Sequence, residues 1–233
     1  MNAEQIIKYI SEAEKKTSVK VYVNFSDQSH QPEFPGCKVF GEQSKIVFGD
    51  WKIIKPILFS NAEIIEELEI ETVSVNSGIP LLDTKNLEAR IEPGAIIREK
   101  VHIGKKAVIM MGAIINIGAT VGDSTMVDMG AVLGGRAIVG SGCHIGAGAV
   151  IAGVIEPVSA KPVIVENDVM IGANSVILEG VHVGKGAVIA AGSTVISDVP
   201  AGAVVAGVPA RVVKYKDEET RSKTLIASDL RNI

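Results

Sequence analysis

The chain has 233 residues, 47% of them hydrophobic, with 23 Lys+Arg against 27 Asp+Glu and a formal net charge of -4. Nucleic-acid binders carry a basic excess and disordered chains lack this much apolar content, so both classes are disfavoured. No apolar run approaches the roughly 18 residues of a membrane helix, the first residues carry charge where a signal peptide needs its apolar stretch, and Cys37 and Cys143 are too few for a disulfide framework: a cytoplasmic protein with neither membrane nor nucleic-acid partners is expected.

Residues 1–85 read as a small α/β domain. Asn2 to Lys16 sets Ile6, Ile7, Ile10 and Ala13 on one helical face. Val19 to Val23 alternates as a strand does. Ser60-Asn61-Ala62-Glu63 has the form of a capping box, which predicts a second helix with Ile64, Ile65 and Leu68 turned inward. Eight of the nine aromatic residues lie between Tyr9 and Phe59, and none between residues 60 and 214. A core that long without aromatic filler must be narrow and uniform.

Residues 86–213 show why. From Ile91 a branched aliphatic recurs at every sixth position: Ile97, Ile103, Ile109, Ile115, Val121, Val127, Leu133, Val139, Ile145 and Ile151. Four residues after each of the first ten comes a small or compact residue, Ala in most coils. The register resumes at Val165, Ile171, Ile177, Val183, Ile189 and Val195. A period of six fits neither a helix nor a long alternating strand. It fits a parallel β-helix of about five coils, each of three six-residue sides, with the aliphatic residue pointing inward. Between Ile151 and Val165 an excursion near 153–163, containing Pro157 and Pro162, leaves the prism. Residues 214–233 read as a C-terminal capping helix, with Leu225, Ile226 and Leu230 spaced along the charged stretch from Asp217 to Arg231. Residues 201–233 hold six basic and four acidic groups, a local positive excess.

The repeat resembles the hexapeptide acyltransferase superfamily. That resemblance implies a mainly β fold, a left-handed parallel β-helix, acting as a homotrimer with active sites between subunits. Gly207-Val208-Pro209-Ala210-Arg211 is similar to the closing motif of many CoA-dependent members. INIGATVGDSTMVDMGAVLG, which ends at Gly134, and GVIEPVSAKPVIVENDVMIGANSVILEG (153–180) resemble tetrahydrodipicolinate N-acyltransferases. The N-terminal domain and NSGIPLLDTKNLEARIEPGAIIR (76–98) look like their N-acetyl branch. The implied reaction moves an acetyl group from acetyl-CoA to the amine of L-2-amino-6-oxopimelate, the opened form of tetrahydrodipicolinate, in diaminopimelate and lysine synthesis. Alternatives are the N-succinyltransferase, a metal-dependent lyase on the same β-helix, and a trimeric scaffold without activity.

Such a reaction needs a base for the ammonium, donors for the oxyanion and cations for the substrate carboxylates. Asp128 stands where most coils carry Gly or Ala, and the same acid occurs there in the succinyl branch, which makes it the first candidate base. That branch has a second acid at the position of Val176, for which Glu179 is the nearest substitute. His144 is a further candidate, because His titrates near neutrality; it is read, with His102 and His182, as a corner residue. Many O-acetyltransferases place a catalytic His before Pro at this point of the coil, where Lys161 precedes Pro162 here. For CoA, which in the superfamily lies along the prism, Gly172, Ala173, Ala190 and Ala191 leave room for the arm, Arg211 and Lys214 are candidates for its phosphates, and Lys161 reaches CoA or a substrate carboxylate from the excursion. Arg98 and Arg136 are candidates for the substrate carboxylates, with Arg90 and Lys185 hardly worse by sequence alone. A hexapeptide-repeat carbonic anhydrase needs a close His pair, whereas the three His of the repeat stand 42 and 38 residues apart, so no metal is expected.

Overall fold

The computed structural model describes residues 1–26, 30–224, 226 and 228–231, and only the backbone of 221, 223 and 228. Two compact units emerge, Glu12–Ile79 and Met1–Ser11 with Pro80–Ile233.

In the smaller unit, four antiparallel strands pair in the order β2-β3-β1-β4: β1 Lys16–Phe25, β2 Lys38–Phe40, β3 Ser44–Asp50 and β4 Ile65–Ser77. Val19, Val21, Val23 and Phe25 alternate inward along β1 and pack with Ile54 and Leu58 of the helix Trp51–Ser60. Asp50 caps that helix, its side chain accepting from the Lys52 amide at 3.2 Å. Asn61 closes it, donating from Nδ2 to the Ile57 carbonyl at 2.8 Å. The expected helix after Ser60 is therefore absent. Ile64 ends a short 3-10 turn, and Ile65 and Leu68 lie in β4, whose alternating β-branched residues pair with β1.

The first helix, Ala3–Glu12, is shorter than the apolar spacing predicts and ends before Ala13. Its Ile6 is fully buried, and a Cβ on Gly118 of the solenoid would meet the end of the Ile6 side chain. Tyr9 Oη donates to the Glu99 carboxylate at the foot of the same unit.

The rest is a parallel-strand solenoid of two-residue strands, each beginning six residues after the last except across the excursion. They stack on three faces. The first holds Arg90–Ile91, Val108–Ile109, Met126–Val127, His144–Ile145, Met170–Ile171 and Val188–Ile189. The second runs from Ile96–Ile97 to Thr194–Val195, also with six strands; the third runs from His102–Ile103 to His182–Val183, with five. The prism thus has about six turns on two faces, one more than the repeat count suggests. The second residue of each strand points inward, and the aliphatic core runs unbroken from Ile97 to Val205. Ala107, Ala113, Ala131 and Ala149 are also fully buried, because the chain turns inside each corner there. The residue before each small one has positive φ, Gly in most coils and Lys106, Ser124 or Arg136 in others.

Coil-to-coil pairing advances by 18 residues, as from Met126 to His144, but by 26 from Ile138 to Ile164. The excursion therefore inserts eight residues without disturbing the ladder. It is pinned by Arg136, whose Nη1 donates to the Val154 and Ala160 carbonyls at 3.2 Å each, and by the Val154 amide on the Gly135 carbonyl. Charged hydrogen bonds of this kind contribute about 1.5–3 kcal/mol each. Arg136→Ala is accordingly expected to speed hydrogen exchange at Val154 by about tenfold or more while leaving Ile145 unaffected; equal exchange in both proteins would show that Arg136 does not hold the excursion.

After the last coil, Ala203–Gly207 and Ala210–Tyr215 form an antiparallel hairpin on the first face. The C-terminal helix is confined to Glu218–Lys223, shorter than the expected span to Arg231 because Ala210–Tyr215 pairs as a strand and Ser228–Arg231 forms a separate 3-10 turn. Leu225, expected on its inner side, lies outside the described residues. Among the described residues no helix is long and apolar enough to cross a membrane.

Candidate active site

Asp128 directly follows the strand Met126–Val127, at the edge where the first face turns into the second. The ladder builds a column above it: the amides of Asp128, Gly146, Gly172 and Ala190 donate in turn to the carbonyls of Ile145, Ile171, Ile189 and Val205. Asp128 is thus followed, coil by coil, by residues with no side chain beyond a methyl. Ala147, Ala173 and Ala191 continue the same small-residue strip. At Gly172 a Cβ would come within 2.4 Å of the Ala191 amide nitrogen, so the edge is tight as well as smooth. The strip leads to the hairpin bearing Arg211 and Lys214. Gly146 and Ala147 complete it and were not singled out by sequence, although they stand one 18-residue step above Asp128 and Met129.

His144 opens a strand of the first face, one coil above Met126, rather than turning a corner. Its Nε2 lies 3.9 Å from Asp128 Oδ2, and the two side chains are 29% and 20% exposed. That distance is too long for a direct hydrogen bond, yet it leaves room for an amine nitrogen within reach of both groups. Burial lowers the His144 pKa below its ordinary value, and the Arg231 charge acts in the same direction; Asp128 opposes them. The shift favours the neutral imidazole, the form able to accept a proton. Asp128 Oδ1 accepts from the Met129 amide at 2.8 Å, which fixes the carboxylate at the edge.

The remaining candidates separate. Arg98, Arg136 and Glu179 sit along the next edge, between the second and third faces. Glu179 is exposed there, and Lys161 lies close by: a Cβ on Gly180 would stand 3.8 Å from the Lys161 carbonyl. Arg136 is engaged with the excursion, and Arg98 Nε is buried without a partner among the described residues. Arg211 is exposed and donates to its own neighbour's carbonyl at Ala210, and Lys214 pairs with Asp217 at 2.8 Å. His102 and His182 both open strands of the third face, away from Asp128, and His182 Nε2 lies 2.9 Å from Glu166 Oε1. Burial pushes the Cys143 thiol up to about 11, which removes it as a nucleophile at neutral pH. Among the described residues no group of three His, Cys, Asp or Glu could hold a metal ion.

Comparison with known proteins decides the family. The chain is 64% identical to the 2,3,4,5-tetrahydropyridine-2,6-dicarboxylate N-acetyltransferase of Geobacillus sp. over 235 residues, covering 100% of this chain and 99% of the relative. The chain belongs to the tetrahydrodipicolinate N-acetyltransferase family. The enzyme of the same name from Caldanaerobacter subterraneus subsp. tengcongensis is 64% identical over 99% of this chain and 95% of its own length. That from Alkaliphilus metalliredigens is 58% identical over 100% and 99%. Residues 1–84 match the family described as tetrahydrodipicolinate succinyltransferase N-terminal, residues 118–153 the bacterial transferase hexapeptide (six repeats), and residues 162–197 the hexapeptide repeat of succinyl-transferase. Among solved structures, perosamine N-acetyltransferase from Caulobacter crescentus, in complex with CoA and GDP-perosamine, superposes with a TM-score of 0.51 at 28% identity, over 55% of this chain and 57% of that one. The acetyltransferase domain of PglB from Neisseria gonorrhoeae, in complex with acetyl coenzyme A, gives 0.50 at 25%, over 55% and 58%. Membership of the family accounts for both units of the chain, since the relatives align from end to end.

Proposed function

We propose that the protein transfers the acetyl group of acetyl-CoA to the amine of L-2-amino-6-oxopimelate in the diaminopimelate and lysine pathway, as a cytoplasmic homotrimer. The observation that carries this reading is His144 facing Asp128 at the foot of the small-residue strip, in a chain whose full-length relatives bear the N-acetyltransferase name. Both cysteines are free, in keeping with a reducing compartment.

The chemistry follows from the pair. The substrate ammonium binds between Asp128 and His144. His144 Nε2 takes one proton, and the Asp128 charge stabilises the resulting imidazolium. The free amine adds to the thioester carbonyl, and the tetrahedral adduct then breaks its C–S bond. The CoA thiolate leaves, taking up the proton from His144 while the new amide nitrogen loses its extra one to water. The pantetheine arm lies along Gly146, Gly172, Ala173, Ala190 and Ala191, where no side chain obstructs it. Arg211 and Lys214 receive its phosphates from the hairpin.

A single prism edge has no walls, so a second copy is needed to enclose the substrate. Ile96 and Ile114 on the second face and Met129 beside Asp128 are exposed, an apolar strip suited to such docking. The second copy would bring its own Lys161 and Arg98 toward the substrate carboxylates.

Two experiments test the reading. Thiol release with L-2-amino-6-oxopimelate is expected to be faster from acetyl-CoA than from succinyl-CoA; preference for succinyl-CoA would make the protein an N-succinyltransferase. Arg211→Ala is expected to raise KM for acetyl-CoA roughly threefold to tenfold with little change in kcat, and less for a donor lacking the 3′-phosphate. Equal effects on the two donors would exclude a 3′-phosphate contact.

A further inference from the structure

The three outer faces of the solenoid are not equally bare. At the outward position of the strands, Ile96 and Ile114 of the second face are 46% and 42% exposed, and Ile138 and Ile164 of the third are exposed too. On the first face, Val108 is 0% and Met126 7% exposed, and Val188 and Val204 are also buried. The tail meets this face at its edge through Arg231. Arg231, itself buried, donates from Nε to the Ser124 carbonyl at 2.7 Å, across 107 residues of sequence. Ser124 lies two residues before Met126, whose strand pairs directly with that of His144.

We propose that the C-terminal segment is a strap across the first face that fixes the Arg231 guanidinium beside His144, as a positioning residue for the acetyl-transfer site. The proposal rests on the reading of His144 as the base. Among the described residues, two charged groups act on the imidazole: Asp128 from the following edge and Arg231 from the strap. The strands on either side present Met126 and Met170, which carry no charge. The strap thus supplies a cation and excludes water at once, and both disfavour the imidazolium. Asp128 alone would favour it, and a protonated His144 accepts nothing from the substrate. The balance between the edge carboxylate and the strap guanidinium sets the pH range in which the base is available.

The test is an NMR titration of the His144 imidazole in the full-length protein, with Arg231→Gln, Arg231→Met and Arg231→Lys, the signal assigned by its loss in His144→Gln. Arg231→Gln is expected to raise the His144 midpoint and Arg231→Lys to restore much of the wild-type value. Arg231→Met, which keeps the apolar stem, supplies a second charge-free variant should the first not fold. The acid limb of kcat/KM moves upward with the midpoint, so activity loss in the charge-free variants is roughly threefold or more greater at pH 6 than at pH 8. A His144 midpoint unchanged in a folded charge-free variant overturns the strap's role. A raised midpoint with an unmoved acid limb upholds the strap and removes His144 as the base instead.

Discussion

Asp128→Asn is expected to lower kcat by about a hundredfold to a thousandfold while changing CoA affinity by less than about twofold. The variant keeps the shape of the side chain and its bond from the Met129 amide, and loses only the charge facing His144 at 3.9 Å. Two unit charges at about 4 Å with an effective dielectric of about 20 interact by about 4 kcal/mol, and about 1.4 kcal/mol is a factor of ten. Partial exposure of both groups reduces this, hence the lower bound. The charge matters most when the imidazolium forms, so kcat falls rather than CoA binding. The pH profile gives a second readout with a definite sign. Asp128 raises the His144 pKa against burial and Arg231; without it, the acid limb moves to lower pH, opposite to the shift expected for Arg231→Gln. Near-normal turnover in Asp128→Asn would remove Asp128 from the mechanism.

His144→Gln is expected to cost about a hundredfold to ten-thousandfold in kcat/KM and to abolish the acid limb altogether. Gln fills much of the same volume between Met126 and Met170 but accepts no proton at neutral pH. Because burial lowers the His144 pKa, the wild-type protein is expected to retain activity to a lower pH than an ordinary imidazole allows. Measuring kcat/KM between pH 5 and 9 for both proteins checks this. An acid limb preserved in His144→Gln would assign the titration to another group, and His182 beside Glu166 would be the next to examine.

Much of this architecture was legible in the order of residues. The six-residue aliphatic period fixes which side chain points into the prism, and the small residue four positions on fixes the inner corner, because a narrow core tolerates nothing larger there. The same period also carries the edges. From Asp128 to Gly172 is 44 residues; with the eight of the excursion removed, this is two coils of 18, so both lie on one edge. Glu179, seven residues past Gly172, falls on the next edge, which is why the structure does not bring it to Asp128.

What escaped the sequence had no period to reveal it. Ser60-Asn61-Ala62-Glu63 mimics a helix start, but Asn61 serves the end of the preceding helix, and the true start is Asp50 with Ile54 and Leu58 behind it. Local caps look alike until the strand pairing of Ile65–Ser77 decides between them. Arg136 reads as a candidate for a substrate carboxylate, yet the carbonyls of the excursion take its guanidinium. Arg231 meets the Ser124 carbonyl, 107 residues away in sequence. A contact between an irregular tail and a regular solenoid leaves no mark in either stretch of sequence alone.

The most direct measurement is the structure of the protein bound to CoA and a dicarboxylic amino-acid analogue. The thiol is predicted beside Asp128 and His144, with the pantetheine arm along Gly146, Gly172 and Ala190 and the phosphates toward Arg211. A thiol found against the Glu166–His182 pair on the third face would contradict the account.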